Sequence, residues 1–145
     1  MKKCFLVDID GTVANGDHRV HHILKEPKEW DAYFLKCGDD ARIDHMHAVV
    51  TALSELFAIV YVSGRSDLVR QQTIDWLDQH GFPCDGLYMR KQGDHTDDHI
   101  LKLELLEQVR ADGFEPIMAF DDRNRVVKAW RAAGIPCAQV AEGDF

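Results

Sequence analysis

Short apolar runs alternate along this sequence with longer stretches in which apolar residues recur every three or four positions. Such runs are typical of strands buried on both faces of a parallel sheet, and the longer stretches are typical of amphipathic helices. The predicted strands cover residues 5–7, 58–62, 86–89, 116–120 and 135–140. The predicted helices cover residues 27–37, 44–56, 67–80, 97–109 and 126–133. This alternation predicts an α/β fold with a doubly wound, Rossmann-like parallel sheet and right-handed crossovers.

The segment after the first strand is too long for an ordinary loop. About thirty residues separate that strand from the next core pattern, whereas connections in compact domains are usually much shorter. Within the segment, Pro27 is placed to begin a short helix, and Trp30, Tyr33 and Phe34 recur at helical spacing. We expect a small cap insertion at about residues 13–44, over the tip of the first strand. Its aromatic side chains could pack on the core or line a site, and the pattern leaves both open.

Length and composition are those of an ordinary globular domain. The chain has 145 residues, of which 46% are apolar and 29% charged, and we expect residues 1–145 to form a single domain. No apolar run is long enough to cross a membrane, and the first residues lack the apolar core of a signal peptide. The four cysteines are widely spaced without a CxxC pair, which favours reduced thiols. These features predict a cytoplasmic protein without a membrane partner.

The net charge limits the kinds of nucleic-acid binding that the chain can support. A formal charge of −8 argues against a sequence-independent grip on a long phosphate backbone, because such a grip needs many basic residues on one face. The charge does not exclude an enzyme that acts on a terminus, since one terminal phosphate needs only a local basic cluster.

The first strand ends in the sequence Asp8-Ile9-Asp10-Gly11-Thr12. Residues two apart on an extended chain point the same way, so Asp8 and Asp10 would face one cleft, and Gly11 lets the backbone turn behind them. Two carboxylates this close repel each other unless a cation lies between them. Oxygen ligands of this kind suit Mg²⁺, which binds few protein carboxylates together with water and substrate phosphate. An acidic turn that merely ends a strand would contain the same residues, so the rest of the chain decides.

Polar groups also follow two further predicted strands. Ser63-Gly64-Arg65 comes after the second strand, and Asp121-Asp122 comes after the fourth. In a doubly wound sheet these strand ends converge on the same rim as the end of the first strand. The sequence therefore predicts a cleft that contains four carboxylates, a hydroxyl group and a cation.

Lys102, on a predicted helix, adds a second cation to this set. Cations and a metal can neutralise phosphate oxygens while a positioned nucleophile attacks in line, which is the requirement of phosphoryl transfer. Taken alone, a lysine on a helix is more often a solvated charge.

Four separated motifs resemble those of the haloacid dehalogenase (HAD) superfamily of phosphotransferases. In chain order they are Asp8-Ile9-Asp10-Gly11-Thr12, the strand end at Ser63, Lys102 and Asp121-Asp122. The stretches that also resemble the 3′-phosphatase domain of phage-type polynucleotide kinase-phosphatases are Ser63-Gly64-Arg65, Arg90-Lys91-Gln92-Gly93-Asp94, Asp97-Asp98 with Lys102, Asp121-Asp122-Arg123 with Val126-Val127 and Trp130, and Gly143-Asp144-Phe145. The likeness covers nearly the whole chain. It implies a HAD-type fold, Mg²⁺ as the cofactor, and a phosphate-terminated nucleic acid or nucleotide as the substrate.

The resemblance implies a role for each matching acidic residue. Asp8 would be the nucleophile that forms an aspartyl-phosphate. Asp10 would be the general acid and then the base, and its backbone carbonyl would help to hold Mg²⁺. Asp121 would complete the metal site, with Asp122 bound to the metal directly or through water. The implied metal ligands are therefore Asp8, Asp10, Asp121 and Asp122.

The resemblance also implies a set of phosphate-binding residues. Ser63 would hydrogen-bond the phosphoryl group, and Lys102 would balance charge between that group and Asp8. Arg65 would clamp phosphate through its planar guanidinium group. The other matching positions are Thr12, Gly64, Arg19 and Asp98. Arg19 could instead lie in a mobile cap loop, and Asp98 could merely cap a helix, so these two roles stay open.

The sequence lacks the GxxxxGK[ST] phosphate loop of the kinase half of the resembled enzymes. Kinase activity would then belong to another chain, and a separate kinase or ligase is a candidate partner. Two alternatives stay open beside a Mg²⁺-dependent 3′-phosphatase. One is a phosphatase for a small metabolite, such as a nucleoside monophosphate or a sugar phosphate. The other is a phospho-ligand binding module without catalysis, against which the intact set of Asp8, Asp10, Lys102 and Asp121 argues.

Overall fold

The structure, a computed structural model, describes all residues from 1 to 145. In chain order its elements are β1 (Lys2–Val7), β2 (Ala14–Asn15), α1 (Trp30–Leu35), β3 (Ala41–Arg42), α2 (Asp44–Ser54), β4 (Ala58–Ser66), α3 (Arg70–Gln79), β5 (Gly86–Arg90), α4 (Asp98–Ala111), β6 (Phe114–Asp121), α5 (Asn124–Ala132) and β7 (Cys137–Gln139). Short 3₁₀ helices cover Asp17–His22, Cys37–Asp39 and Asp67–Val69. None of the helices combines the length and the apolar character that spanning a membrane requires.

Five strands form one parallel sheet in the order β5-β4-β1-β6-β7. β1 lies in the middle and pairs with β4 on one side and with β6 on the other. The predicted α/β fold with a parallel sheet is therefore confirmed. In open sheets of this kind the binding crevice lies at the carboxyl ends of the strands, where the strand order reverses, which here is the end of β1.

Side chains of β1 point alternately into two cores. Phe5 and Val7 belong to a core that includes residues of α2 and α3. Cys4 and Leu6 belong to a second core that includes residues of α4 and α5. Because both faces of β1 are covered, its sequence shows a continuous apolar run rather than an alternation.

The end of β4 differs from the prediction. The strand continues to Ser66, so Ser63-Gly64-Arg65 lies within it rather than after it. The pairing with β5 extends as far as Arg90, with an irregularity in register after Ser63, and this pairing keeps the polar residues extended. The predicted strand ended too early because hydrophobicity marks burial by apolar neighbours, and these polar side chains are buried among charges.

Residues 13–44, which we call the insert, also differ from the prediction. Helix α1 begins at Trp30 rather than at Pro27, because residues 27–29 are exposed and have no core against which to form a helical turn. The insert contains an unpredicted antiparallel pair, β2 and β3, and strands of two residues are too short to show a pattern. Helix α2 begins at Asp44, as predicted, and the Asp44 carboxylate accepts a hydrogen bond from Nε of Arg42 at 2.8 Å.

Candidate active site

The carboxyl ends of β1 and β6 bring two aspartates together under a lysine of α4. Asp8 follows β1, and its backbone N–H donates to the carbonyl oxygen of Phe120 in β6 at 3.0 Å. Asp121 is the last residue of β6. Lys102 donates through Nζ to Oδ1 of Asp8 and to Oδ2 of Asp121, each at 2.8 Å. All three side chains are buried, so the lysine bridges two carboxylates away from solvent.

Asp122 adds a third buried carboxylate to this pair. One carboxylate oxygen from each of Asp8, Asp121 and Asp122 lies within 4.8 Å of the others. The backbone N–H groups of Asp122 and Arg123 donate to Oδ1 of Asp121 at 2.9 and 3.2 Å, which fixes the orientation of that carboxylate. Three carboxylates opposed by one lysine carry an excess of buried negative charge, which is unfavourable unless it is compensated.

The excess charge is visible in the pKa values of the cluster. Burial and the Asp121 carboxylate raise the pKa of Asp8 well above its usual range, against the opposing effect of Lys102. Burial and Asp121 also raise the pKa of Asp122. Burial opposes the charge of Lys102, but Asp121 and Asp8 hold its pKa well above the usual value. A divalent cation would relieve this repulsion, and carboxylate oxygens are the donors that Mg²⁺ prefers, so these residues fit such an ion.

The turn after Asp8 contributes to the positions of two carboxylates, those of Asp8 and Asp122. Thr12 donates through Oγ1 to Oδ2 of Asp8 at 3.0 Å, so each Asp8 oxygen accepts one hydrogen bond from the protein. Gly11 has a positive φ of 82°, and a Cβ atom at this position would lie 2.1 Å from Oδ2 of Asp122. Glycine is therefore needed both for the backbone turn and for the close approach of Asp122.

Asp10 is bound by two buried arginines. Arg65 donates through Nη2 to Oδ1 of Asp10 at 2.8 Å and through Nε to Oδ2 at 3.1 Å. Arg19, from the insert, donates through Nη2 to the same Oδ1. Burial would raise the pKa of Asp10, but Arg65 and Arg19 together lower it to about 2. The Asp10 carboxylate is therefore ionised in this arrangement.

Asp40, which lies in none of the sequence motifs, holds the same two arginines. Its buried carboxylate accepts hydrogen bonds from Nε and Nη2 of Arg19, both at 2.8 Å, and from Nη2 of Arg65 at 3.0 Å. Trp76 donates to its backbone carbonyl at 2.9 Å. The neighbouring Asp39 is exposed. Nothing in the sequence distinguishes these two adjacent aspartates, because the difference arises from contacts with distant parts of the chain.

Ser63 and Gly64 lie beside the cluster on β4. Ser63 is buried and its Oγ accepts the backbone N–H two residues further on, at 3.1 Å. A Cβ atom at Gly64 would lie 2.3 Å from Oδ1 of Asp98, an oxygen that is buried without a hydrogen-bond partner. Asp98 makes looser ion pairs, 3.7 Å from Arg90 and 3.6 Å from Arg123. The residue before Asp98 is the N-cap of α4, so Asp98 is not the helix cap that the sequence left open.

Five of the predicted site residues line one cleft of about 670 Å³. Those on its wall are Asp8, Asp10, Gly64, Asp98 and Asp122. The other predicted residues are buried side chains, namely Thr12, Arg19, Ser63, Arg65, Lys102 and Asp121. Arg19 is thus not in a free loop, because two carboxylates hold it in place.

Comparison with known proteins decides the family. A sequence model of the polynucleotide kinase PNKP phosphatase domain matches residues 2–145. The chain belongs to this family. The resemblance to HAD phosphatases of the polynucleotide kinase-phosphatase type is thereby confirmed, and the described residues form a PNKP-type phosphatase domain of the HAD superfamily.

Individual relatives agree with the PNKP-type assignment. A bifunctional polynucleotide kinase/RNA ligase of Autographa californica nuclear polyhedrosis virus is 31% identical over 140 residues, which are 92% of this chain and 18% of that protein. A chain in the structure of the Pnkp1/Rnl/Hen1 RNA repair complex is 26% identical with a TM-score of 0.85, over 100% of this chain and 44% of that chain. The chain thus spans about a fifth of the viral relative and less than half of the repair-complex chain.

More distant structures show the HAD-like fold alone. A chain described as a predicted phosphatase from Clostridium acetobutylicum superposes with a TM-score of 0.68 at 13% identity, over 96% of this chain and 84% of that chain. The fold of this PNKP-type domain is therefore shared with proteins whose sequences have diverged widely.

Removing the charge of Asp40 is expected to loosen both arginines of the PNKP-type site. The variant Asp40→Asn leaves Arg19 and Arg65 with less compensation for their buried charge, and we expect the free energy of unfolding to fall by about 3 kcal/mol. Urea denaturation followed by circular dichroism measures this change. Asp39→Asn removes an adjacent exposed carboxylate and serves as the matched control. Equal unfolding free energies for the two variants would contradict the arrangement described here.

Proposed function

We propose that this PNKP-type domain is a Mg²⁺-dependent phosphomonoester hydrolase that removes 3′-phosphates from nucleic-acid ends or nucleotides through an aspartyl-phosphate on Asp8. The observation that carries the proposal is the setting of Asp8, whose oxygens are held by Lys102 and Thr12 beside two further buried carboxylates. A protein that only binds phosphate gains nothing from a buried carboxylate at that position, since like charges repel. Family membership supports a polynucleotide end as the substrate.

The proposed cofactor is Mg²⁺, held by the carboxylates of Asp8, Asp121 and Asp122 and by the backbone carbonyl of Asp10. Support comes from the clustering of the three carboxylates and from their excess negative charge. The bound ion would neutralise phosphate oxygens and so reduce the repulsion between the substrate and Asp8.

The proposed reaction uses Asp8 and Asp10 in two displacements. In the first, a carboxylate oxygen of Asp8 forms a bond to phosphorus while the bond from phosphorus to the 3′ oxygen breaks. Asp10 donates its proton to that leaving oxygen. In the second, Asp10 takes a proton from a water molecule, whose oxygen attacks phosphorus and displaces Asp8, so that inorganic phosphate is released. Lys102 keeps the attacking carboxylate oriented throughout.

Asp10 must gain a proton before it can donate one, and the arginines explain how. With Arg65 and Arg19 bound to it, the pKa of Asp10 is about 2, too low for a proton donor near neutral pH. A phosphate dianion would compete with Asp10 for the same guanidinium groups, because arginine binds phosphate and carboxylate in the same bidentate way. When substrate takes up those donors, the pKa of Asp10 rises toward the range that its burial favours. Asp40 would hold both arginines in place during this exchange.

The remaining site residues would shape the phosphate pocket. Ser63 would donate its hydroxyl hydrogen to the phosphoryl group, because its oxygen already accepts a backbone N–H. Gly64 has no side chain to obstruct the cleft, and a Cβ atom there would collide with Asp98. Asp98 would position Arg90 and Arg123 at the cleft wall through its ion pairs. Thr12 would keep Asp8 oriented from the other oxygen.

The organisation and cellular setting are part of the proposal. Residues 1–145 would act as one domain, and the insert would be the cap over the cleft, since Arg19 and Asp40 both come from it. The four free cysteines support a reducing, cytoplasmic location. Similarity to the viral kinase/ligase and to a chain of the repair complex supports cooperation with a kinase or a ligase, on the same polypeptide or on another.

The test is phosphate release from matched substrates. Oligonucleotides and mononucleotides that carry a 3′- or a 5′-phosphate are incubated with Mg²⁺ or with a chelator, and Asp8→Asn serves as the blank. We expect Mg²⁺-dependent release with a preference for the 3′-phosphate of about 100-fold or more. Turnover of 5′-nucleotides alone would favour the small-metabolite phosphatase. Release no faster than the blank on every substrate would favour a binding module without catalysis.

A further inference from the structure

We infer that Trp30 is a stacking platform for the nucleobase of a single-stranded 3′ end, and that Lys28 and Arg125 bind the neighbouring backbone phosphates. This inference rests on the proposed function and specifies its substrate as a single strand that extends beyond the terminal nucleotide. Three observations support it: an exposed aromatic ring on the cleft wall, a series of contacts from that ring to Asp10, and two cations in the cleft that make no ion pair.

Trp30 is exposed, although a neighbouring aromatic residue on the same helix is buried in the core. Its side chain is 44% exposed, whereas Phe34 in the next turn of α1 is 8% exposed and supplies the contact with the core. Trp30 lines the same cleft as Asp8. Its ring is backed by Phe34 at 5.9 Å between centroids with nearly parallel planes, and by the edge of Tyr33, also at 5.9 Å. Trp30 therefore packs against two aromatic rings and keeps open surface toward the cleft.

A series of side-chain contacts connects this ring with Asp10. The guanidinium group of Arg19 lies 4.2 Å from the centroid of the Tyr33 ring. The same guanidinium group donates to Asp10, and Tyr33 packs against Trp30. A base on Trp30 would thus be connected with the phosphate site at Asp8 and Asp10 through these contacts of Tyr33 and Arg19.

Two basic residues of the cleft are not committed to ion pairs. The chain carries a net charge of −8, yet Lys28 and Arg125 both line the cleft, are exposed and make no ion pair. Nζ of Lys28 lies 5.6 Å from the centroid of the Trp30 ring. In contrast, Arg90 and Arg123 in the same cleft face Asp98. Two cations without ion-pair partners, in a cleft that also exposes an aromatic ring, match a nucleotide chain, which presents bases and phosphates in alternation.

The same observations favour a single strand over a duplex or a sugar phosphate. A base in a duplex is already stacked and paired, so it is not free to stack on a protein ring. A sugar phosphate has neither a base for Trp30 nor a second phosphate for Arg125. An unpaired 3′ end offers both groups.

The first test removes the ring. For a single-stranded oligonucleotide with a 3′-phosphate, we expect Trp30→Ala to lower kcat/KM about 5- to 100-fold, mainly through KM. The same variant should act like wild type on an oligonucleotide whose terminal residue is abasic, and Trp30→Phe should retain most of the activity. Leu35→Ala, which truncates a side chain that is 54% exposed on the same helix and is absent from the cleft wall, is the matched control.

The second test removes the cations. We expect Arg125→Gln and Lys28→Gln each to lower kcat/KM for oligonucleotides and to reduce the slope of log kcat/KM against log salt by about 1. Neither variant should change kcat/KM for a nucleoside 3′-monophosphate, which lacks the second phosphate. Lys128→Gln, an exposed lysine of α5 outside the cleft, is the control.

Binding without turnover separates this inference from the proposed function. Trp30 is the exposed one of the three tryptophans, since Trp76 and Trp130 are 1% and 2% exposed. In the Asp8→Asn background, a single-stranded oligonucleotide should quench the tryptophan fluorescence of the protein. Adding Trp30→Phe should abolish this quenching while retaining the affinity for the oligonucleotide. Equal kcat/KM for Trp30→Ala and wild type, or undiminished quenching in Trp30→Phe, would overturn the inference alone. Quenching through Trp30 without phosphate release from any 3′-phosphate would overturn the proposed function and leave the platform in place.

Discussion

Replacing Asp8 by asparagine is expected to lower kcat by about 1,000-fold or more on any substrate that the wild-type domain hydrolyses. An amide cannot form the aspartyl-phosphate, and no other carboxylate of the cluster is held by both Lys102 and Thr12. Initial rates of phosphate release with saturating substrate and Mg²⁺ measure the effect. Asp17→Asn, which changes an exposed carboxylate of the insert, is the control and should keep wild-type rates.

The same substitution is expected to stabilise the fold when metal is removed. Burial and the neighbouring carboxylates raise the pKa of Asp8, so its ionised form is disfavoured in the folded protein near neutral pH. A neutral asparagine removes that repulsion, and thermal unfolding in a chelator should occur at a higher temperature in Asp8→Asn than in wild type.

The activity prediction has its own contradicting outcome. Turnover at more than about a tenth of the wild-type rate in Asp8→Asn would contradict the role proposed for Asp8.

Replacing Lys102 by methionine is expected to reduce both stability and activity. The variant preserves the side-chain length but leaves Asp8, Asp121 and Asp122 without their buried cation. We expect the free energy of unfolding in a chelator to fall by about 3–5 kcal/mol and kcat with Mg²⁺ to fall by about 100-fold or more. Denaturant titration and initial-rate measurements test the two effects separately.

Adding Mg²⁺ gives the Lys102 prediction a second readout. The ion supplies positive charge to the same three carboxylates, so it should stabilise Lys102→Met more than it stabilises wild type. Lys128→Met, which changes an exposed lysine without an ion pair, should behave like wild type in every condition. If Lys102→Met matched that control in stability without metal, the three carboxylates would not need the lysine, and the account of their charge would be wrong.

The architecture could be predicted from the sequence because positions buried in the core are mostly apolar, and their spacing follows the secondary structure. β1 has an apolar run that is unbroken since both of its faces are covered, and α4 places Leu101, Leu105 and Val109 in one core at helical spacing. Elements that are held by polar contacts show no such pattern of apolar positions. The end of β4 and the antiparallel pair of β2 and β3 in the insert were therefore missed.

The sequence singled out candidate site residues because their motifs are local, but it did not show how these residues pair. Asp8 and Asp10 were expected to face one cleft, and both line it. The sequence could not show that Asp10 would be bound by Arg19 and Arg65, or that Asp40 would hold both arginines. These contacts join segments far apart in the chain, and the ionisation of Asp10 depends on them. The catalytic roles and the function of the insert as a cap remain predictions.

The central claim is tested most directly by stopping the reaction during turnover and measuring the mass of the protein, which shows whether a phosphoryl group is attached. Asp10→Asn lacks the base for the second displacement, and 4-nitrophenyl phosphate needs no acid for the first because its leaving group is already a good one. The account predicts a burst of one nitrophenolate per protein, with one phosphoryl group on the chain that peptide mapping assigns to Asp8. Release of nitrophenolate at a steady rate, with no phosphoryl group on Asp8 at any quench time, would contradict it.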